Sequence, residues 1–117
     1  MDDNTKTQLE AAAFRRLIHH LQTHTEVQNI DLMILADFCR NCLAKWYAAA
    51  AQDRDIAIDY EQAREIIYEM PYKDWQAKYQ TEATPEQLAA LEQKIKSKSW
   101  PSQQAMMPCF PVLSRLS

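Results

Sequence analysis

The sequence predicts an all-α fold, a compact bundle of four to five helices around a central apolar helix at about residues 30–52. The chain of 117 residues has no glycine, and glycine supplies the positive-φ positions that β-hairpin turns need. Alanine, glutamate, glutamine and leucine, which favour helices, are plentiful. Apolar residues recur at helical spacings. This length corresponds to one domain, expected at residues 5–97.

The first helix is expected from Thr7 to about His24, because Thr7 and Glu10 have capping-box spacing. A short polar connection follows, and the helix at 30–52 comes next. At 100° per residue, one side of that helix is apolar and the opposite side is polar. The apolar side holds Leu32, Leu35, Cys39, Cys42, Leu43 and Trp46, and the polar side holds Asp37, Arg40, Asn41, Lys45 and Ala48.

Three further helices are predicted after a polar break at residues 53–55. Asp59, with Gln62 three residues later, begins a helix that Pro71 ends near Met70. A shorter helix, from about Pro71 to 79, carries an aromatic stripe that favours packing. The last helix is predicted to start at Thr84, because a proline follows it directly and a glutamine stands three residues later. Residues 98–117 are predicted to be an irregular, proline-containing tail with unusually many apolar residues.

The charge distribution bears on the class of partner. Residues 1–93 carry a net charge of −7, whereas the remainder carries four basic residues and no acid. An acidic body is a poor nucleic-acid binder, since affinity for phosphate needs a positive patch. No apolar run approaches the roughly 18 residues that a membrane span requires. With an odd cysteine count and no visible secretion signal, a cytoplasmic protein that binds neither nucleic acid nor membrane is expected.

Cys39 and Cys42 form a Cys-x-x-Cys pair, for which three interpretations stay open. Redox chemistry is disfavoured, because the pair would lie two turns inside the central helix, away from the helix N-terminus that lowers a thiol pKa. A zinc or iron site could combine Cys39 and Cys42 with His20 and His24 of the first helix. Core packing is the favoured interpretation, since cysteine is commonly buried, and no cofactor is then expected.

Signatures of other enzyme classes are missing from the sequence. A chain without glycine has no phosphate-cradling loop and no nucleophile elbow. Arg15, Arg16 and His20 could act on a small anionic metabolite, although a solvated helix face is the simpler interpretation. A non-enzymatic interaction or assembly module is therefore favoured, with a protein partner or a homodimer. The apolar central helix and the aromatic residues Tyr72, Trp75 and Tyr79 motivate it.

Two groups of motifs carry a family resemblance over roughly residues 10–95. They are Gln-Asn-Ile-Asp-Leu-Met at 28–33 with Phe-Cys-Arg-Asn-Cys at 38–42, and Arg-Glu-Ile-Ile-Tyr at 64–68 with Met-Pro-Tyr at 70–72. The chain resembles the small bacterial proteins called domain of unknown function 1244. This resemblance implies an all-helical, cytosolic protein without an assigned activity. Asp37 and Asp55 depart from the family pattern, since a small residue and a glycine would suit these two positions.

Overall fold

Residues 1–97 are described by a computed structural model, and the predicted tail at 98–117 lies outside the described residues. Within residues 1–97 the chain forms six helices and no strand, so the predicted all-α fold is confirmed. None of these helices is long and apolar enough to cross a membrane. The helices are α1 (Asp3–Thr23), α2 (Asn29–Ala36), α3 (Arg40–Asp53), α4 (Tyr60–Tyr68), α5 (Tyr72–Tyr79) and α6 (Pro85–Ser97).

Two of the three predicted helix caps are confirmed. Asp59 accepts a hydrogen bond from the Gln62 N–H (2.8 Å), and Thr84 accepts one from the Gln87 N–H (3.1 Å), as the capping boxes require. The predicted start at Thr7 was wrong, because the Asp2 carboxylate caps α1 instead by accepting from the Thr5 N–H (2.7 Å). An acidic N-cap also interacts favourably with the helix dipole.

The predicted continuous helix at 30–52 was also wrong, because α2 ends at Ala36 and α3 begins at Arg40. Asp37 adopts a left-handed conformation (φ 64°), which terminates α2. Lys94 of α6 stabilises this end by donating to the Ile34 carbonyl and by placing its Nζ 3.0 Å from Asp37 Oδ1. Tertiary contacts therefore create a helix end that the apolar periodicity did not reveal.

Two groups of apolar side chains form the core of the described residues. In the first, α3 packs closely on α4, since Ala44, Ala48 and Ala63 let the two backbones approach. Ile18 and Leu21 of α1 and the rings of α5 complete this group. In the second, α2 packs on α6, with Cys39 and Cys42 at the centre. Phe38, in the break between α2 and α3, contacts both groups.

Candidate functional site: a buried polar core beside a cavity

Four polar side chains meet in the interior where α1, α2, α3 and α4 converge. Asn29, Arg40, Asn41 and Tyr68 are each between 1% and 4% exposed, and we call them the polar core. Buried polar groups destabilise a fold unless they are hydrogen-bonded. The partners of each one therefore decide what this cluster does.

Arg40 binds the end of α1 and the loop that follows it. Its Nη2 donates to the carbonyls of Leu21 (3.3 Å) and His24 (3.0 Å). Its Nη1 donates to the carbonyl of Val27 (2.8 Å) and to Asn29 Oδ1 (3.1 Å). The guanidinium also lies 5.0 Å from the centroid of a Trp75 ring, within cation–π range. Arg40 thus caps the C-terminus of a helix that is distant in sequence.

Asn29, Asn41 and Tyr68 continue the polar core toward α4. The Tyr68 hydroxyl donates to Asn41 Oδ1 (2.7 Å) and accepts from Asn29 Nδ2 (3.0 Å). Asn29 Oδ1 also accepts from the backbone N–H of Arg40 (3.3 Å), which belongs to the first turn of α3. One asparagine therefore connects the starts of two helices, α2 and α3, with a tyrosine near the end of α4.

The residues beside Asn29 extend these contacts to α5 and α6. The Gln28 side chain donates to the Tyr79 carbonyl (2.9 Å) and accepts from the Thr81 N–H (2.9 Å). Asp31 accepts from Gln87 Nε2 (2.8 Å), at the start of α6. The motif at 28–31 therefore holds the α5–α6 connection against α2, which is a structural role.

Burial shifts the pKa of two residues of the polar core. Burial lowers the pKa of Arg40, against the opposing effect of nearby Tyr68, Cys39 and Glu26. Burial also raises the pKa of Tyr68 well above its ordinary value, so the phenol keeps the proton that it donates to Asn41. Neither group is suited to exchange protons near neutral pH, as a general acid or base must.

A cavity of about 190 Å³ lies beside the polar core. Its inner part is lined by Arg40, Tyr68 and Trp75, and Ile67 and Met70 add apolar surface. Glu69, in a left-handed conformation (φ 63°), is an exposed lining residue. The complete lining is Gln22, Thr25, Arg40, Ile67, Tyr68, Glu69, Met70, Trp75 and Tyr79.

The cysteine pair lies at the N-terminus of α3, and not inside a continuous helix as the apolar periodicity predicted. Cys39 is the N-cap, and its carbonyl accepts from the Cys42 N–H (3.0 Å). Burial nevertheless raises the pKa of Cys39 to about 11, and it outweighs the lowering by the N–H groups of Cys42 and Asn41 and by the Arg40 charge. Cys39 is 1% exposed, an environment that suits packing better than a reactive thiolate.

His20 and His24, the histidines of the predicted metal site, stack on each other near the end of α1, with ring centroids 4.0 Å apart. His24 Nδ1 lies 2.7 Å from the His20 carbonyl oxygen. Within residues 1–97, no three histidine, cysteine or acidic side chains come together in a group that could hold a metal ion. The structure therefore does not bring Cys39, Cys42, His20 and His24 into one cluster, and metal binding stays a prediction.

The remaining predicted functional residues fall on the surface or in the core. Arg15, Arg16 and His20 are exposed on α1, which leaves the anionic-metabolite hypothesis without an enclosed site at these residues. Tyr72 and Trp75 are 7% and 2% exposed. The aromatic stripe is therefore core packing, and two of its three rings are withdrawn from the surface that a protein partner would contact.

Arg40 and Asn41 are buried, although the sequence pattern places both on the polar side of the central helix and does not reveal their role. A signal was available, since Arg40, Ala44 and Ala48 follow one another at four-residue spacing. Small residues at that spacing let a neighbouring helix approach, and Ala44 and Ala48 are 0% and 5% exposed. Arg40 begins this buried stripe.

Comparisons with known proteins agree with the motifs that build this site. No curated protein matches the chain. A family model described as "Protein of unknown function (DUF1244)" matches residues 27–93, which include the whole polar core. Because the match covers more than half of the chain, the protein belongs to the DUF1244 family.

Proposed function

We propose that this protein is a non-catalytic helical assembly module that pairs with a second copy of itself through the N-terminal part of α1. The exposure of that part carries the proposal. Residues 1–10 are all exposed although α1 is helical from Asp3. Isolated helices of this length are marginally stable in water, so a helix that extends beyond its own core is a natural place for a partner.

The far end of α1 is held firmly, so the exposed part has a defined direction. Ile18 and Leu21 are buried in the core. Gln22 Nε2 donates to the Ile67 carbonyl (3.1 Å), and Arg40 binds the last carbonyls of the helix. Residues 3–17 extend over about 22 Å at the rise of an α-helix. This presents an anchored surface instead of a frayed terminus.

A second copy is the partner that the chemistry of α1 favours. Leu9, Ala13 and Leu17 follow at four-residue spacing and form one stripe, and Leu9 and Leu17 are 55% and 38% exposed. In an antiparallel pair that crosses at Ala13, Leu9 of one copy lies near Leu17 of the other, as two-fold symmetry requires. A small residue at the crossing permits close approach.

The charges along α1 support the same antiparallel arrangement. Three acids (Asp2, Asp3 and Glu10) and one lysine precede Ala13, whereas Arg15 and Arg16 follow it. In an antiparallel pair, the acidic end of each helix lies beside the basic end of the other. Complementary charges of this kind favour the correct orientation.

Analytical ultracentrifugation of the Leu17→Glu variant tests the proposal. The wild type is expected to sediment as a dimer and the variant as a monomer with unchanged helix content, because a glutamate would be buried in the pair. Ile66→Glu is the matched control, since Ile66 is similarly exposed (45%) but lies on α4. A wild type that stays monomeric, or an equal effect of both variants, contradicts the proposal.

A further inference from the structure

Arg40 lines the cavity beside the polar core, and within residues 1–97 its positive charge forms no ion pair with an acidic side chain. All four terminal N–H groups of Arg40 donate to neutral oxygens, three carbonyls and one amide. The ion pairs found among these residues do not include Arg40. Arginine stays protonated even when it is buried. Its charge therefore gives the cavity a positive potential, which a low-dielectric surrounding strengthens.

Three lining residues offer hydrogen-bond donors with no partner among residues 1–97. They are the Thr25 hydroxyl, the Trp75 indole N–H and the Tyr79 hydroxyl. Trp75 is 2% exposed, and an indole N–H can donate but cannot accept. These groups can bind an oxygen acceptor directly, while Arg40, whose terminal donors are occupied, contributes its charge.

The size and the apolar wall of the cavity limit what else the ligand contains. Ile67, Met70 and the Trp75 ring give an apolar surface. The volume of about 190 Å³ slightly exceeds the roughly 150 Å³ that accommodates benzene in an apolar protein cavity. A ligand with one ring, or with a short branched chain, has this size. Glu69, the acidic lining residue, is exposed and therefore screened by solvent.

We infer that this cavity binds a small carboxylate with an apolar body of about one ring. The carboxylate oxygens accept from Thr25, Trp75 and Tyr79 near the charge of Arg40, and the body contacts Ile67 and Met70. This site does not depend on the proposed self-association, because Arg40, Trp75 and Tyr79 lie outside α1.

The first test compares three probes of the same size and different charge: benzoate, benzyl alcohol and benzylamine. Each is titrated to about 10 mM into ¹⁵N-labelled wild-type protein, a range that covers the weak affinities of few-atom ligands. Benzoate is expected to shift the Trp75 indole N–H resonance and to bind at least tenfold more tightly than the other two. Equal binding of benzoate and benzylamine, or no shift of Trp75 with benzoate, overturns the inference.

Variants locate the site. Met70→Trp should fill the cavity and weaken benzoate binding at least tenfold. Ile56→Trp is the matched control, because it adds the same ring beside a different hollow, lined by Gln52, Ile58 and Gln62 among others, and it should leave the affinity unchanged. Tyr79→Phe, which removes one hydroxyl, should weaken binding severalfold and decides the matter if Met70→Trp does not fold. If folded Met70→Trp binds benzoate as tightly as the wild type does, the inference is wrong. If Met70→Trp does not fold, wild-type benzoate affinity in Tyr79→Phe overturns the inference.

Discussion

Replacing Arg40 with methionine should strongly destabilise the fold, because this one side chain satisfies four acceptors in the interior. Methionine keeps much of the aliphatic length but donates no hydrogen bond. The carbonyls of Leu21, His24 and Val27 and the amide oxygen of Asn29 would each lose a charged donor. The end of α1 would then be buried without its cap.

The size of the effect follows from opposing contributions. Hydrogen bonds from a charged donor contribute about 1.5–3 kcal/mol each, so four of them correspond to about 6–12 kcal/mol. Removing the guanidinium also removes the cost of burying a charge, which amounts to several kcal/mol. We therefore expect the free energy of unfolding to fall by about 3–5 kcal/mol, a large part of the 5–15 kcal/mol of an ordinary domain.

Urea unfolding followed by far-ultraviolet circular dichroism measures this difference. Arg54→Met is the matched control, since Arg54 also donates to a helix carbonyl (Ala50, 2.9 Å) but is exposed. Its loss should change the stability by no more than about 0.5 kcal/mol. A loss below about 1 kcal/mol for Arg40→Met, or equal losses for both variants, would show that these four hydrogen bonds do not stabilise the fold.

Three further predictions concern single side chains. Tyr68→Phe should cost about 2–3 kcal/mol in urea unfolding, because the buried Asn29 Nδ2 and Asn41 Oδ1 each lose their bond to the Tyr68 hydroxyl. Tyr47→Phe, for a half-buried ring, should cost less than 1 kcal/mol. Because burial raises the pKa of Cys39 to about 11, the unfolded state loses this proton first as the pH rises. The free energy of unfolding therefore keeps the full contribution of the neutral Cys39 thiol below about pH 9 and loses about 2 kcal/mol toward pH 11. If the free energy of unfolding of Cys39→Ala falls as much as that of the wild type over this pH range, the prediction is wrong. Glu69→Gly should raise the melting temperature, because Glu69 has a positive φ (63°) that glycine adopts without strain, whereas Glu65→Gly inside α4 should lower it; a lowering by both would show that the left-handed conformation carries no strain.

The fold class was predictable because it depends on local signals. Asp59 and Thr84 were identified as helix starts from their side chains and from the residue three positions later. Asp55, in a turn that would suit glycine, does have a positive φ (58°). These features involve neighbours in sequence, and one sequence shows them directly.

The interior of the site was not predictable for the opposite reason. The break after Ala36 is contacted by Lys94, which is distant in sequence. Without that break, Arg40 and Asn41 point to the polar side, and Leu35, which is 82% exposed, belongs to the apolar side. Helical periodicity assigns a residue to a face only while the helix continues. Because the helix end at Ala36 was not predicted, the buried Arg40 and Asn41 and the exposed Leu35 were all assigned to the wrong face. For the same reason, the cysteine pair lies at a helix N-terminus, whereas the sequence predicted it inside a helix.

Native mass spectrometry of the untagged protein, purified without chelators, distinguishes self-assembly from metal chemistry. It reports the number of chains and any bound metal in one spectrum. We expect a metal-free particle of twice the 13.7 kDa chain mass at about 10 μM, a concentration at which micromolar dimers persist. A monomer that carries one zinc or iron would contradict this expectation and would favour a site built on Cys39 and Cys42.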